Sequence, residues 1–309
     1  MTDSLPQFVS FGEALTDMIR DGGDHWLAKP GGAPWNVARV MASLGVPSAF
    51  GGAISHDVFG DTLWLASQQA GLDMRFIQRV KASPLLAMVY QLSPPRYFFI
   101  GDDSADLHFD VAQLPASWAD QVHWAMFGGI SLAREPLASH LLQLASQLKA
   151  QGVRIAYDPN FRAAMDERYD PTLRKMVELA DVIKVSDEDL AGLFRTQDLS
   201  TALATIRSWH PDALFFYTQG AEGATLYAQQ SSWQARPPEI EVIDTVGAGD
   251  ASIGGLIHSL MQHPAADMPT HLRYAMGAGA GACMAAGATP PTIQQIQQLA
   301  ARVVVKSGG

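Results

Sequence analysis

Two hydrophobic rhythms take turns along this chain. Short apolar runs at 7–13 (QFVSFGE), 48–55 (SAFGGAIS), 123–130 (HWAMFGGI), 153–160 (VRIAYDPN), 181–186 (DVIKVS) and 213–220 (ALFFYTQG) read as strands. Between them lie stretches with apolar residues three and four apart, at 34–45, 57–71, 136–152, 171–180 and 200–209. In the first of these, Val37, Val40, Met41 and Leu44 share one helical face and Gly45 supplies the stop. Strands alternating with helices predict a mostly parallel sheet covered on both faces, in a single α/β domain spanning 1–309.

Two stretches break the rhythm. Residues 14–32 and 84–109 carry short strands and turns where crossover helices belong, and the run around Pro94-Pro95 reads as a hairpin. They predict a small β-layer projecting from the core as a candidate lid. The pattern alone fits an edge extension of the main sheet equally well. Gly277–Ala288 reads as a close-packed small-residue helix, and the final KSGG as a frayed tail.

Composition narrows the partners. With 48% hydrophobic and 17% charged residues, the chain can bury a large core. A net charge of −10 without a basic run argues against nucleic acid or an anionic membrane as partner. No basic segment leads into an apolar one at the N-terminus, and the single Cys283 suits a reducing cytoplasm.

The chemistry concentrates at 241–260, EVIDTVGAGDASIGGLIHSL. An apolar strand-like run meets Gly247-Ala248-Gly249, then Asp250, then a helical pattern. Glycines leave backbone amides bare for an anion, and a helix start adds its dipole. Asp250 suits a helix cap and a general base equally well on spacing alone. The loop is neither a Walker A motif nor a dinucleotide fingerprint, since Ser252 stands at the third glycine position. Other polar and charged side chains fall near strand ends, among them Asp17, Asp158, Asn160 and Arg162, where open α/β sheets place ligands.

DTVGAGDASIGG (244–255) resembles the C-terminal signature of the ribokinase-like (PfkB) sugar kinases. PGGAPWNVARVMASLG (30–45) resembles that family's N-terminal signature in the form seen in bacterial fructokinases. The resemblance implies a three-layer αβα core with a small β lid and transfer of the ATP γ-phosphate to a sugar hydroxyl, with O6 of fructose as the expected acceptor. Asp250 would be the base, with the amides of Gly247, Ala248 and Gly249 as the anion hole. Asp17, Gly32, Asn36, Asp158 and Asn160 would shape the sugar site. Arg162 would face the sugar or the transferred phosphate, and Arg96 or Phe98 of the hairpin would line the pocket. Lys184, Ser186, Thr218, Gly220 and Gly223 would flank the nucleotide phosphates, and Ala280 and Cys283 would leave room for adenine. Ser186 and Asp189 depart from the family's N-x-x-E pattern, and Asp189 is expected to reach Mg²⁺ through water. The resemblance also raises K⁺ as a further ion, and an exposed sheet edge suggests a homodimer through the lid. Alternatives within the fold are 2-keto-3-deoxygluconate, ribose or a nucleoside as acceptor; outside it, a sugar- or nucleotide-binding regulator without catalysis.

Overall fold

The structure, a computed structural model, describes residues 5–92 and 95–308. Its elements run β1 (Phe8–Phe11), β2 (Leu15–Arg20), β3 (Trp26–Gly31), α1 (Ala33–Ser43), β4 (Ser48–Ser55), α2 (Val58–Gln69), β5 (Ile77–Val80), β6 (Leu86–Leu92) and β7 (Pro95–Ile100). They continue with β8 (Trp124–Gly128), α3 (Leu137–Ala150), β9 (Arg154–Asp158), α4 (Asp170–Leu179), β10 (Val182–Ser186), α5 (Asp187–Phe194), α6 (Leu199–Trp209) and β11 (Leu214–Thr218). The chain closes with β12 (Ala224–Ala228), β13 (Ser231–Ala235), α7 (Ala248–Gln262), α8 (Met268–Cys283), α9 (Ile293–Ala300) and β14 (Val305–Gly308).

The large sheet has the order β14-β13-β12-β11-β10-β9-β8-β1-β4-β5. From β5 to β11 it is parallel, and β12, β13 and β14 extend it antiparallel. Its central strands are apolar on both faces because both are covered. Val9, Phe127, Ile155, Ile183 and Phe215 pack into one layer with α3, α4 and α6, while Phe8, Met126, Ala156, Val182 and Phe216 pack into the other with α1, α7 and α8. Neighbouring residues on each strand thus serve opposite layers, as the two-residue repeat requires.

The rhythm-breaking stretches form a second sheet, ordered β3-β2-β6-β7 and separate from the first. This settles the lid-versus-edge alternative in favour of a distinct layer. It occupies 15–31 and 86–100; the remainder of the second stretch holds one short 3₁₀ segment, Ala105–His108, and Phe109 is buried against Phe11 in the main core. The tip of the hairpin, including Pro94, lies outside the described residues.

Three expectations need correction. The apolar run before the glycine loop is not a strand: its Ile243 and Asp244 N–H groups donate to the Cys283 carbonyl at the end of α8. The C-terminal tail is not frayed: β14 pairs with β13 in the register Ala235↔Val305 to Ser232↔Gly308. The small-residue helix starts earlier and stops at Cys283, so 284–288 form a turn with Gly287 at φ 63. Its glycines and those of α7 bring helices close. A Cβ at Gly255 would stand 2.5 Å from the Ala278 Cβ, and one at Gly254 would stand 2.7 Å from a Val40 methyl. No helix among the described residues is long and apolar enough to cross a membrane.

Candidate active site

Parallel strands end on one side of the sheet, and the first turn of α7 sits there. Gly247 is the N-cap residue at φ 80, a conformation that a side chain disfavours. Ala251 N–H closes the first helical bond onto the Gly247 carbonyl. The Ala248 N–H donates to the Thr245 carbonyl, so this amide is engaged in closing the turn. The N–H groups of Gly249 and Asp250 have no backbone acceptor among the described residues. The Gly247 N–H likewise has no acceptor among the described residues, so of the three expected amides only that of Ala248 is engaged, and Asp250 adds its own.

Asp250 is 9% exposed and stands in the first turn of the helix. Its Oδ2 accepts from Asn36 Nδ2 at 2.9 Å, across from α1. Burial pushes its pKa up, while the Asn36 hydrogen bond and the charges of Lys184 and Arg162 pull it down. Neither oxygen accepts from a backbone N–H as a capping side chain does, so the geometry does not use this acid as a cap.

Two cavities meet at this turn. The smaller, about 280 Å³, is lined by Asp17, Gly32, Asn36, Asn160, Arg162, Gly247 and Asp250, under a roof of Ala87, Val89, Tyr97 and Phe99 from the small sheet. The larger, about 530 Å³ and mostly apolar, is lined by Thr218, Gly220, Gly223, Ala248, Gly249, Gly279, Ala280 and Cys283. Residues that sequence placed far apart are thereby sorted into two chambers with one shared wall.

Arg162 donates to the Asn160 side chain and to the carbonyls of Asn160 and Phe161, and its guanidinium carbon lies 5.6 Å from the Tyr97 ring centroid. Asn160 holds φ 46 and its backbone N–H donates to Asp158 Oδ1. Asp17, mostly buried beside Asp250, is raised to about 6 by desolvation and by the Asp250 charge, against the pull of Arg162.

Several expected residues do not touch either cavity. Asp158 is buried beneath the site, its Oδ2 2.9 Å from Lys184 Nζ. Burial raises Asp158 to about 6 despite that partner. For Lys184, burial opposes the charge, but the carboxylates of Asp158, Asp189 and Asp250 outweigh it and raise the pKa. Lys184 lies directly under the first turn of α7, since a Cβ on Gly249 would be 3.6 Å from its Nζ. Ser186 caps α5 in a capping box with Asp189. Both Asp189 oxygens accept from protein donors, one from Phe161 N–H and the other from Ser186 N–H and Oγ–H.

Arg96 and Phe98 were expected in the sugar pocket and are not there. Strand alternation turns Tyr97 and Phe99 inward, leaving Arg96 exposed and Phe98 52% exposed on the outer face. Sequence reasoning also passed over Glu13, a buried acid lining the smaller cavity whose Oε2 accepts from Ser131 Oγ at 2.6 Å. Its signal was a carboxylate at the end of an apolar strand, where burial needs a partner.

The family model "pfkB family carbohydrate kinase" matches residues 6–295. A fructokinase of Klebsiella pneumoniae is 33% identical over 291 residues, covering 90% of this chain and 93% of that one. The crystal structure of a Xylella fastidiosa fructokinase with bound ATP superposes with a TM-score of 0.86 at 27% identity, covering 96% of this chain and 98% of that one. A Vibrio cholerae fructokinase solved with fructose, ADP and calcium gives 0.82 at 29% identity, covering 96% and 99%. With its parallel sheet, its separate small sheet and its glycine-Asp turn between two chambers, the chain belongs to the pfkB family of carbohydrate kinases.

Proposed function

We propose that this carbohydrate kinase transfers the γ-phosphoryl group of ATP to fructose, forming fructose 6-phosphate, with Asp250 as general base. One observation carries the reading: Gly247 and Asp250 face the small polar chamber, while Ala248 and Gly249 face the large apolar one. A hydroxyl in the first and a terminal phosphate from the second would meet across a single helical turn. The similar protein of Klebsiella pneumoniae is a fructokinase, and the two similar fructokinase structures hold ATP, and fructose with ADP and calcium.

The residues divide the work. Asn36 occupies Asp250 Oδ2, leaving Oδ1 to take the proton of the acceptor hydroxyl. The open amides of Gly247, Gly249 and Asp250, at the positive end of α7, stabilise charge on the moving phosphoryl group. Arg162 serves the same charge or a sugar oxygen, and Lys184 keeps a positive charge beneath the turn. Thr218, Gly220 and Gly223 border the phosphate end of the large chamber, and Ala280 and Cys283 its base-sized apolar end. The small sheet acts as a lid: Tyr97, Phe99, Ala87 and Val89 exclude water, which would otherwise accept the phosphoryl group. Mg²⁺ with the nucleotide would supply charge neutralisation, and Asp189, whose oxygens accept from three protein donors, would hold it through water. K⁺ would join near the anion turn, which activation by potassium salts over sodium salts tests.

The charge balance favours a neutral sugar. Glu13, Asp17 and Asp250 line the small chamber against one guanidinium, Arg162, a poor setting for the carboxylate of 2-keto-3-deoxygluconate. The enzyme works in the cytoplasm, and the outer face of its lid, with Tyr90, Phe98 and Ile100 exposed, pairs with a second copy. The test is coupled ADP release with fructose, ribose, 2-keto-3-deoxygluconate and a nucleoside. Fructose is expected to give the highest kcat/KM, and Asp250→Ala to lose about 10²–10⁴-fold in kcat. Wild-type turnover by Asp250→Ala would remove the base assignment, and another preferred acceptor would replace fructose.

A further inference from the structure

The amide that orients Asp250 is itself held, from one helical turn further along α1. Asn36 and Arg39 are three residues apart and so share a helix face. One terminal nitrogen of Arg39 donates to Asn36 Oδ1 at 3.4 Å and to the carbonyl of Ala288 at 3.2 Å. The guanidinium carbon lies 4.3 Å from the centroid of the Trp35 ring, and Trp35 is fully buried with its indole N–H fixed on Ser67 Oγ. Arg39 Nε is buried without a hydrogen-bond partner. A cation is thus kept in a place that satisfies it incompletely, which costs stability and calls for a compensating role.

Its two acceptors are both next to the anion turn. Ala288 backs directly onto Gly247: a Cβ there would stand 2.7 Å from the Ala288 Cβ and 2.9 Å from its Cα. Asn36 is the only side chain donating a hydrogen bond to Asp250 among the described residues. An amide can be turned either way round. Turned over, Asn36 would present its oxygen to a carboxylate and its NH₂ to a guanidinium, both repulsive. With Arg39 in place, only the donating orientation is satisfied.

We propose that Arg39 is a positioning residue that locks the Asn36 amide toward Asp250 and seats the 287–289 turn behind Gly247. This rests on the reading of Asp250 as base. Arg39 touches neither chamber, so its removal acts on the reacting geometry and leaves the binding surfaces in place. The charged groups that bear on Asp250 are Asp17 from β2, Asp158 and Arg162 from the end of β9, and Lys184 from β10, and all of them remain in the variants.

The experiment compares Arg39→Met, which keeps the apolar stem, with Arg39→Lys, which keeps a charged donor. In steady-state kinetics Arg39→Met is expected to lose about tenfold or more in kcat, with KM for sugar and ATP within about threefold of wild type. Arg39→Lys recovers most of that loss. In ligand-free protein carrying ¹³C-carboxylate aspartate, the Asp250 signal is identified by its loss in Asp250→Asn. Its titration midpoint rises by about half a unit or more in Arg39→Met, because the donated hydrogen bond is no longer enforced. An unmoved midpoint, or Arg39→Lys as slow as Arg39→Met at wild-type stability, overturns the proposal. The two readings fail separately: if Asp250→Ala turns over like wild type, Asp250 is not the base, whereas the ligand-free midpoint still decides what Arg39 does to it.

Discussion

Asp17 shows what a carboxylate in the wall of the small chamber costs the protein. Desolvation is the main cause of its rise to about 6 from an ordinary value near 4. The folded protein therefore binds this proton more tightly than the unfolded chain does. The stability from that proton is fully present below about pH 4 and is lost as pH climbs through about 6. At pH 8 the folded state carries a poorly solvated charge. Asp17→Asn is expected to raise the unfolding free energy at pH 8 by about 1–3 kcal/mol, with the gain vanishing below about pH 4, in urea titrations across that range. The same change should raise KM for the sugar, since an acceptor of hydroxyl protons has become in part a donor. Asp17 was legible as a candidate in the sequence. Its cost was not, because desolvation is a property of neighbours brought from β9 and α7.

At the level of elements, parity decides which residues do chemistry. On β7, Tyr97 and Phe99 roof the small chamber while Phe98 faces outward, and the register Ala87↔Phe99 and Met88↔Phe98 gives β6 the same two faces. Phe99→Ala should raise KM for the sugar by about fivefold or more through lost packing on the bound ligand, whereas Phe98→Ala should leave it within about twofold. Equal effects in steady-state assays would mean that the sheet turns its other face inward during catalysis. The aromatic hairpin could be read from sequence, but not which face is inner, because alternation fixes only relative sides. The glycine signature divides in a related way. Gly247 and Gly249 shape the turn that faces the chambers, while Gly254 and Gly255 let α7 approach α1 and α8. A single motif thus holds a chemical half and a packing half, and only the helix neighbours separate them.

For the molecule as a whole, the exposed outer face of the small sheet is the feature that a single chain leaves unexplained. Tyr90, Phe98 and Ile100 are 44%, 52% and 49% exposed, and the Tyr90 and Phe98 rings lie 6.3 Å apart on that face. Phe98→Glu should shift sedimentation velocity from dimer to monomer at micromolar concentration, while Phe98→Ala weakens the association less. A wild-type monomer would show that the face serves another purpose. The order of strands and helices, the two stretches that break it and the glycine-Asp turn were set by local pattern, since periodicity and glycine placement act over a few residues, whereas the separation of the small sheet from the large one was not. What local pattern could not set were distances across the chain. Asn36 meets Asp250 from 214 positions away, Lys184 is spent on Asp158, and β14 finds β13 at the far edge of the sheet. Those contacts depend on which elements pack together, and packing is decided by the burial of whole faces, a cooperative property that no short stretch of sequence contains.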